Sequence, residues 1–382
     1  MRIALTITEL DVGGAEKCLT QLALWLKAGG HRVEVFSLGP PPPEGQDKFP
    51  RLLAAAEIQV HFGGFKGAHR AVPAIQWLRK SLREFSPEIV QSMLFHANLL
   101  TSFAIPADAK FFGGARVKQP ERIRRKLQGW AAKKMEKLVC VSADVMRSSL
   151  QLEGVPAEKL CVIPNGVSVS TDCEVGDWSE LGLPKGCRVI LSIGRLAPQK
   201  GYRELIHHAD DILRNNPAHH IVIIGQGPFE PELRDLAATT QHPTRIHIAG
   251  WHADIGKWLS ACELFILPTH YEGMPNALLE AMAAGLPVVV NDVEGIREVL
   301  GTGNTTSSQV ARRLCEDNGE NLAKLTQQLI ASDSLRQECG QANLQRVKEH
   351  FSTDDQFRKY LDLYRDAIAD GKTQQSRQTR WN

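Results

Sequence analysis

The chain has no apolar run long enough to cross a bilayer, no CxxC pair and no complete GxGxxG fingerprint. Each gap removes a class. A spanning helix needs about 20 consecutive, mostly apolar residues, and none is present. The eight cysteines, at 18, 140, 161, 173, 187, 262, 315 and 339, show no metal-like spacing, so reduced thiols and no metal site are expected. The nearest approach to a dinucleotide fingerprint, GQGPFE at 225–230, lacks the third glycine and carries Pro228, which argues against a nicotinamide dehydrogenase. The start, MRIALTITELDVGG, meets Glu9 and Asp11 directly after its apolar run, and so reads as a first buried strand and not a signal peptide. A cytoplasmic location follows as an expectation.

What is present is ordinary in amount and uneven in arrangement. A length of 382 residues favours two domains, and 43% hydrophobic with 23% charged residues is typical of a globular protein. The net charge of +2 hides an asymmetry: residues 1–168 hold 23 Lys and Arg against 15 Asp and Glu, a net of +8, leaving −6 for the remainder. Much of the excess lies in Arg116 to Lys137, with nine basic and two acidic residues. There Ile123, Leu127, Trp130 and Leu138 share one helical face, with Arg124, Arg125, Lys126, Lys133 and Lys134 mostly off it. Such a helix either packs its stripe on its own domain or contacts an anionic membrane or acceptor.

Strands of four to eight apolar residues alternate with helices through both halves. RIALTI, HRVEVFSL, IQVHF, EIVQSML, KFFGG, KLVCVS and KLCVIP read as strands of the first half, with helices such as Ala15 to Ala28 and Val72 to Phe85 between them. RVILSIG, HIVIIG, RIHIAG, LFILP and LPVVVN do the same in the second, separated by helices at Gly201 to Asn215, Phe229 to Thr240 and from Pro275. This predicts α/β architecture, two Rossmann-like doubly wound parallel sheets facing across a cleft. The domains are expected at 1–168 and 187–350, joined through the Gly-, Pro- and Ser-rich stretch from Asn165 to Gly186. A final helix, about 351–370, has Ser352 as cap and carries Phe357, Leu361, Tyr364 and Ile368 on one stripe.

Three loops fit a ligand site at strand carboxyl ends. Gly13 and Gly14 follow the first strand and precede a helix, so the backbone can approach a ligand there. Arg195 and Lys200 follow the first strand of the second half, where a guanidinium fork and an ammonium suit a diphosphate. In HYEGMPNALLEAMAAGLPVVVND, Glu272 stands before a helix expected to start at Pro275, Glu280 lies inside that helix, and Gly285 suits its left-handed cap.

Together these pieces resemble the retaining glycosyltransferases of family 4, which have the GT-B fold. The likeness runs over nearly the whole chain: the paired-glutamate motif in EGMPNALLEAMAAGLP at 272–287, GRLAPQKG at 194–201, VIPNGV at 162–167, Gly-Gly-Ala-Glu at 13–16 and VEGIREV at 293–299. It implies that Arg195 and Lys200 neutralise the diphosphate of a nucleotide-sugar donor, with amides near Gly13 and Gly14 adding hydrogen bonds. Glu280 would accept both ribose hydroxyls. Glu272, with the backbone of Gly273, Met274, Pro275, Asn276 and Ala277, would sit against the transferred sugar. The donor would be a UDP- or GDP-sugar used as substrate, with no separate cofactor. The acceptor would be lipid-linked or a saccharide, in envelope polysaccharide or lipopolysaccharide assembly, with peripheral contact to an anionic membrane and no nucleic acid among the partners. The last helix would cross back onto the first domain.

Two departures stand out. The family commonly carries a His-x-His pattern after the fourth strand, where this chain has Gln91 and Met93, and His96 is the nearest substitute. The stretch after Leu300, GTGNTTSSQVARRL, lacks the usual apolar segment. The alternatives are a nucleotide-sugar epimerase of similar fold, which would need no acceptor, and a degenerate sugar-nucleotide-binding protein without activity.

Overall fold

The computed structural model describes residues 1–169, 174–301, 314–315 and 320–378. It divides into two compact units, one made of Met1–Asn165 and Asp354–Asn382, the other of Gly166–Thr353. Residues 302–313, which hold most of the divergent stretch after Leu300, lie outside the described residues.

In the first unit the strands are β1 (Arg2–Ile7), β2 (Arg32–Ser37), β3 (Gln59–Phe62), β4 (Ile89–Met93), β5 (Lys110–Ala115), β6 (Lys137–Cys140) and β7 (Leu160–Val162). Among the described residues they form one sheet in the order β3-β2-β1-β4-β5-β6-β7, with all pairings parallel. The crossovers include helices α1 (Gly14–Ala28), α2 (Lys48–Ala55), α3 (Ala71–Phe85), α4 (Phe95–Ala104), α5 (Arg122–Ala132) and α6 (Ala143–Gln151). Parallel strands covered on both faces have no solvent side, which is why β1 and β4 are almost wholly buried.

The second unit repeats the plan with β8 (Arg188–Ile193), α7 (Tyr202–His207), α8 (Ala209–Leu213), β9 (His219–Ile224), α9 (Glu230–Ala238), β10 (Ile246–Gly250), α10 (Gly256–Ala261), β11 (Leu264–Leu267), α11 (Asn276–Ala283), β12 (Val288–Asn291), α12 (Glu294–Leu300) and β13 (Leu314–Cys315). Its sheet runs β10-β9-β8-β11-β12-β13, also parallel. Two helices follow, α13 (Glu320–Ile330) and α14 (Asp333–His350), and the chain then enters α15 (Thr353–Gln378). Phe357, Tyr360, Leu361 and Tyr364 of α15 are buried in the first unit's core with Ile3, Leu5 and Ile7. The Tyr364 hydroxyl donates to Gln91 Oε1 at 3.0 Å.

Both sheets are wound in two directions from an inner strand pair, β1 and β4 in the first unit and β8 and β11 in the second. Loops leaving the carboxyl ends of such a pair diverge to opposite faces, and the opening between them is where open α/β sheets bind ligands.

Three local expectations are corrected. The helix expected over Gly201 to Asn215 is two short ones, interrupted at His208, where φ is −95° and ψ is 5°. No Pro or Gly marks that break; the bend lets Leu205 and Ile206, then Ala209, Ile212 and Leu213, all enter one core. Pro275 caps α11 from an extended conformation (φ −76°, ψ 117°) and does not begin the helix, while Gly285 is left-handed at φ +72°. In the basic segment, α5 stops at Ala132 and Leu138 belongs to β6. The buried residues of α5 are Gln128, Gly129, Ala131 and Ala132, so the stripe of Ile123, Leu127 and Trp130 is left exposed.

Beneath α5, in the loop after α6, Glu153 is buried, and one of its oxygens has no hydrogen-bond partner. Burial pushes its carboxyl from the ordinary 4.5 up to about 7. A carboxyl whose pKa rises on folding adds no penalty below the unfolded value, and stability is lost as pH climbs through the folded one. At pH 8 the cost is on the order of 3 kcal/mol. Glu153→Gln is therefore expected to raise the melting temperature at pH 8 and change it little at pH 4.5. Equal shifts at the two pH values would show that the charge is not what burdens the fold.

Candidate active site

In the second unit, the turn after β8 runs Gly194, Arg195, Leu196, Ala197 and then a short 3-10 segment, Pro198–Lys200. The turn after β11 runs from Pro268 to Pro275 and enters α11. Because β8 and β11 are adjacent and parallel, both turns leave the same end of the sheet. Lys200 and Glu272 meet there: the Lys200 ammonium donates to Glu272 Oε1, and both side chains are mostly buried. The hydroxyl of buried Thr269 donates to the Gln199 carbonyl at 3.0 Å and lies 3.3 Å from Glu272 Oε1. Gln199 Nε2 donates to the Tyr271 carbonyl at 2.7 Å, and the His270 amide to the Gln199 carbonyl at 2.8 Å. The two turns are thus laced together over a separation of about seventy residues.

Two glycines permit this approach. A Cβ on Gly201, which has φ +67°, would lie 1.9 Å from the Pro268 carbonyl oxygen. A Cβ on Gly295, in the first turn of α12, would lie 2.4 Å from the Glu272 carbonyl oxygen and 2.5 Å from that of Gly273. The helix after β12 therefore presses directly on the Glu272 backbone. Asn291, at the end of β12, holds the Pro268 carbonyl from the other side, donating from Nδ2 at 2.8 Å.

Arg195 is exposed, and among the described residues its guanidinium makes no hydrogen bond or ion pair. Gly273, Met274 and Pro275 are buried, whereas Asn276, Ala277 and Glu280, on the first two turns of α11, are partly exposed. Tyr202, at the start of α7, is fully buried with its hydroxyl facing Gly194, and burial pushes its phenol pKa up, so it stays protonated.

The first unit carries the remaining candidates at its own switch point. Gly13 caps α1 from an extended backbone, its carbonyl accepting from the Lys17 amide at 3.0 Å, and Gly14 is exposed at the first helical position. After β4, Leu94 adopts φ +75° and ψ 155°, a region that only glycine enters without strain. That turn delivers His96, exposed, into the first turn of α4. Desolvation by its surroundings, then the Arg124 charge, lower the His96 pKa, with Glu9 after β1 opposing, so the imidazole is neutral at pH 7. Gln91 and Met93 are buried within β4 and serve the core.

Sequence reasoning did not single out Thr269, Tyr202, Gly295 or Leu94. Only Gly295 left a signal, inside the 293–299 match. The others look like ordinary strand-end and helix residues until strand order is known. Among the described residues no group of three or more His, Cys, Asp and Glu side chains is placed to hold a metal ion, and no helix is long and apolar enough to cross a membrane.

Comparison with known proteins adds names to this geometry. A family model for Glycosyltransferase Family 4 matches residues 12–171, and one for Glycosyl transferases group 1 matches residues 178–346. The chain is 33% identical over 192 residues to the UDP-Gal:alpha-D-GlcNAc-diphosphoundecaprenol alpha-1,3-galactosyltransferase of Escherichia coli, covering 48% of this chain and 50% of that protein. It is 28% identical over 189 residues to the lipopolysaccharide core biosynthesis glycosyltransferase LpsE of Rhizobium meliloti, so the chain spans about half the length of these two relatives. It is 24% identical to LpsD of the same organism over 81% of this chain and 84% of that one. In fold it is similar to Anabaena Alr3699/HepE solved with UDP and glucose, with a TM-score of 0.80, 19% identity, and coverage of 96% of this chain and 100% of that chain. The two models match consecutive stretches that carry the two doubly wound sheets, and on that ground the chain belongs to the group 1, family 4 glycosyltransferases of GT-B fold.

Proposed function

We propose that the protein is a retaining glycosyltransferase that moves a sugar from a nucleotide-sugar donor to a lipid-linked or saccharide acceptor in cell-envelope polysaccharide assembly. The observation that carries the reading is the Lys200–Glu272 ion pair at the sheet's switch point, with Arg195 exposed in the same turn. Breaking the anomeric bond leaves positive charge on the sugar and adds negative charge to the departing phosphate. Lys200 and Arg195 suit the phosphate and Glu272 suits the sugar, so donor binding exchanges the Lys200–Glu272 pair for one ligand contact each. Gly13 and Gly14 are assigned as backbone donors to the diphosphate, Glu280 as acceptor of the ribose hydroxyls, and His96, the nearest substitute for the family's histidines, as a catalytic candidate lining the acceptor side. The Escherichia coli relative is named for UDP-galactose and a diphosphoundecaprenol-linked acceptor, and the Anabaena neighbour was solved with UDP. Both favour a UDP-sugar, and the first favours an acceptor presented at a membrane, which this enzyme would touch peripherally from the cytoplasmic side.

The test is transfer from a panel of UDP-, GDP- and ADP-sugars to polyprenyl-diphosphate-linked and free saccharides, with the anomeric configuration of the product read by NMR. A product that keeps the donor's configuration supports the reading. Inverted product would overturn the retaining mechanism, and sugar isomerised or released without an acceptor would favour the epimerase. Since Arg195 and Lys200 supply the positive charge, transfer is expected to persist in EDTA. Activity abolished by EDTA and restored by magnesium or manganese would contradict that.

A further inference from the structure

Helix α5 leaves its apolar stripe uncovered. Ile123 is 72% exposed, Leu127 39% and Trp130 38%, and Phe103 at the end of α4 is 41% exposed. The Phe103 and Trp130 rings stack with centroids 4.7 Å apart, and the Lys134 ammonium lies 5.1 Å and 4.7 Å from those two centroids. Arg122, Lys126 and Lys133 are exposed beside the stripe, and α5 itself carries no acidic residue. Contiguous exposed apolar side chains cost solubility unless something covers them.

Charge chooses among the occupants. A second copy meeting this face about a two-fold axis would bring the same basic residues against themselves. An anionic bilayer instead attracts them, accepts Ile123, Leu127 and the two aromatic rings at the headgroup boundary, and lets Lys and Arg extend to the lipid phosphates. From this we propose that the face formed by Phe103 and the Ile123–Leu127–Trp130 stripe of α5 is a membrane-docking surface that inserts shallowly into anionic lipid. It rests on the lipid-linked acceptor of the functional reading and adds where the enzyme meets that lipid. α5 also carries Arg124, whose guanidinium lies 5.7 Å from the ring centroid of Phe95, the neighbour of His96 in α4.

Apolar insertion and charge attraction respond differently to salt, which separates this surface from a purely basic patch. The full-length chain is co-sedimented with phosphatidylglycerol-containing and pure phosphatidylcholine vesicles, at low and at 0.5 M salt, alongside the Ile123→Ser/Leu127→Ser and Arg122→Glu/Lys126→Glu variants. Binding to the anionic vesicles, reduced several-fold but not abolished by salt, is expected. The serine variant should lower binding at both salt levels, and the charge variant should abolish it at low salt. Melting temperature and nucleoside diphosphate affinity should be unchanged in both variants, since none of these residues belongs to the donor site. No preference for anionic vesicles, or a serine variant that binds like the wild type, would overturn the proposal. So would a dimer in sedimentation velocity that the serine variant dissociates, which assigns the face to a second copy. Docking without any transfer activity in the wild-type protein would sink the functional reading alone; transfer to acceptor in detergent without docking would sink only this surface.

Discussion

Lys200→Ala is expected to weaken nucleoside diphosphate binding by about 1.5–3 kcal/mol, the usual loss for a hydrogen bond to a charged group, and to lower transfer further. The second loss arises because the ammonium also stabilises charge that grows on the leaving phosphate, an effect worth up to about a thousandfold for a single preorganised donor. The ion pair adds a signature that a generic surface lysine would lack. Removing Lys200 leaves the mostly buried Glu272 carboxylate, among the described residues, with the Thr269 hydroxyl as its remaining side-chain hydrogen-bond partner, so the unliganded protein should also lose stability. In the double variant Lys200→Ala/Glu272→Gln that stability should return while activity stays lost, because the two changes share one interaction. Calorimetric titration with UDP and GDP and thermal unfolding of the three variants measure both quantities. Unchanged diphosphate affinity in Lys200→Ala would remove this turn from the donor site.

Gly201→Ala should be as damaging from a single methyl group. Its Cβ would lie 1.9 Å from the Pro268 carbonyl oxygen, and that carbonyl cannot retreat freely because Asn291 Nδ2 holds it at 2.8 Å. The φ of +67° adds a left-handed penalty of about 1 kcal/mol for a residue with a side chain. Together these predict a loss of about 2–4 kcal/mol in stability, in the range of backbone-strain and overpacking effects. They also predict a displaced Lys200 and a fall in diphosphate affinity of at least tenfold. Gly201→Asn separates the two causes: asparagine tolerates the left-handed conformation but keeps the Cβ, so a close approach predicts nearly the same loss. Wild-type stability in Gly201→Asn would show that conformation, and not contact with Pro268, is what requires glycine there.

Much of the architecture was legible because it depends on short-range pattern. Buried parallel strands are continuous apolar runs, and the readings RIALTI, EIVQSML, RVILSIG and LFILP coincide with β1, β4, β8 and β11 to within a residue or two at each end. Turn chemistry was equally local: Gly285 was readable as a left-handed cap because α11 ends in the residues before it. The alternation of strand and helix then restricts the connections to right-handed crossovers, and the fold class follows.

What the sequence by itself determined about this protein is thus its two doubly wound sheets, its family, and the residue types gathered in its loops. Only the tertiary structure decided which of those residues meet. Lys200 and Glu272 are 72 positions apart and pair because β8 and β11 are neighbours, a strand order that no local period encodes. Thr269 matters through that same adjacency, Gly295 through that of β11 and β12, Tyr202 through the return of α7 onto Gly194, and Leu94 through a strained turn that its residue type would argue against. The α5 stripe was visible as a period of apolar residues, but a period gives one face of a helix and not what lies across from it. Small residues, Gly129, Ala131 and Ala132, took the inward face because the helix packs close to its unit, and that packing turned Ile123, Leu127 and Trp130 outward.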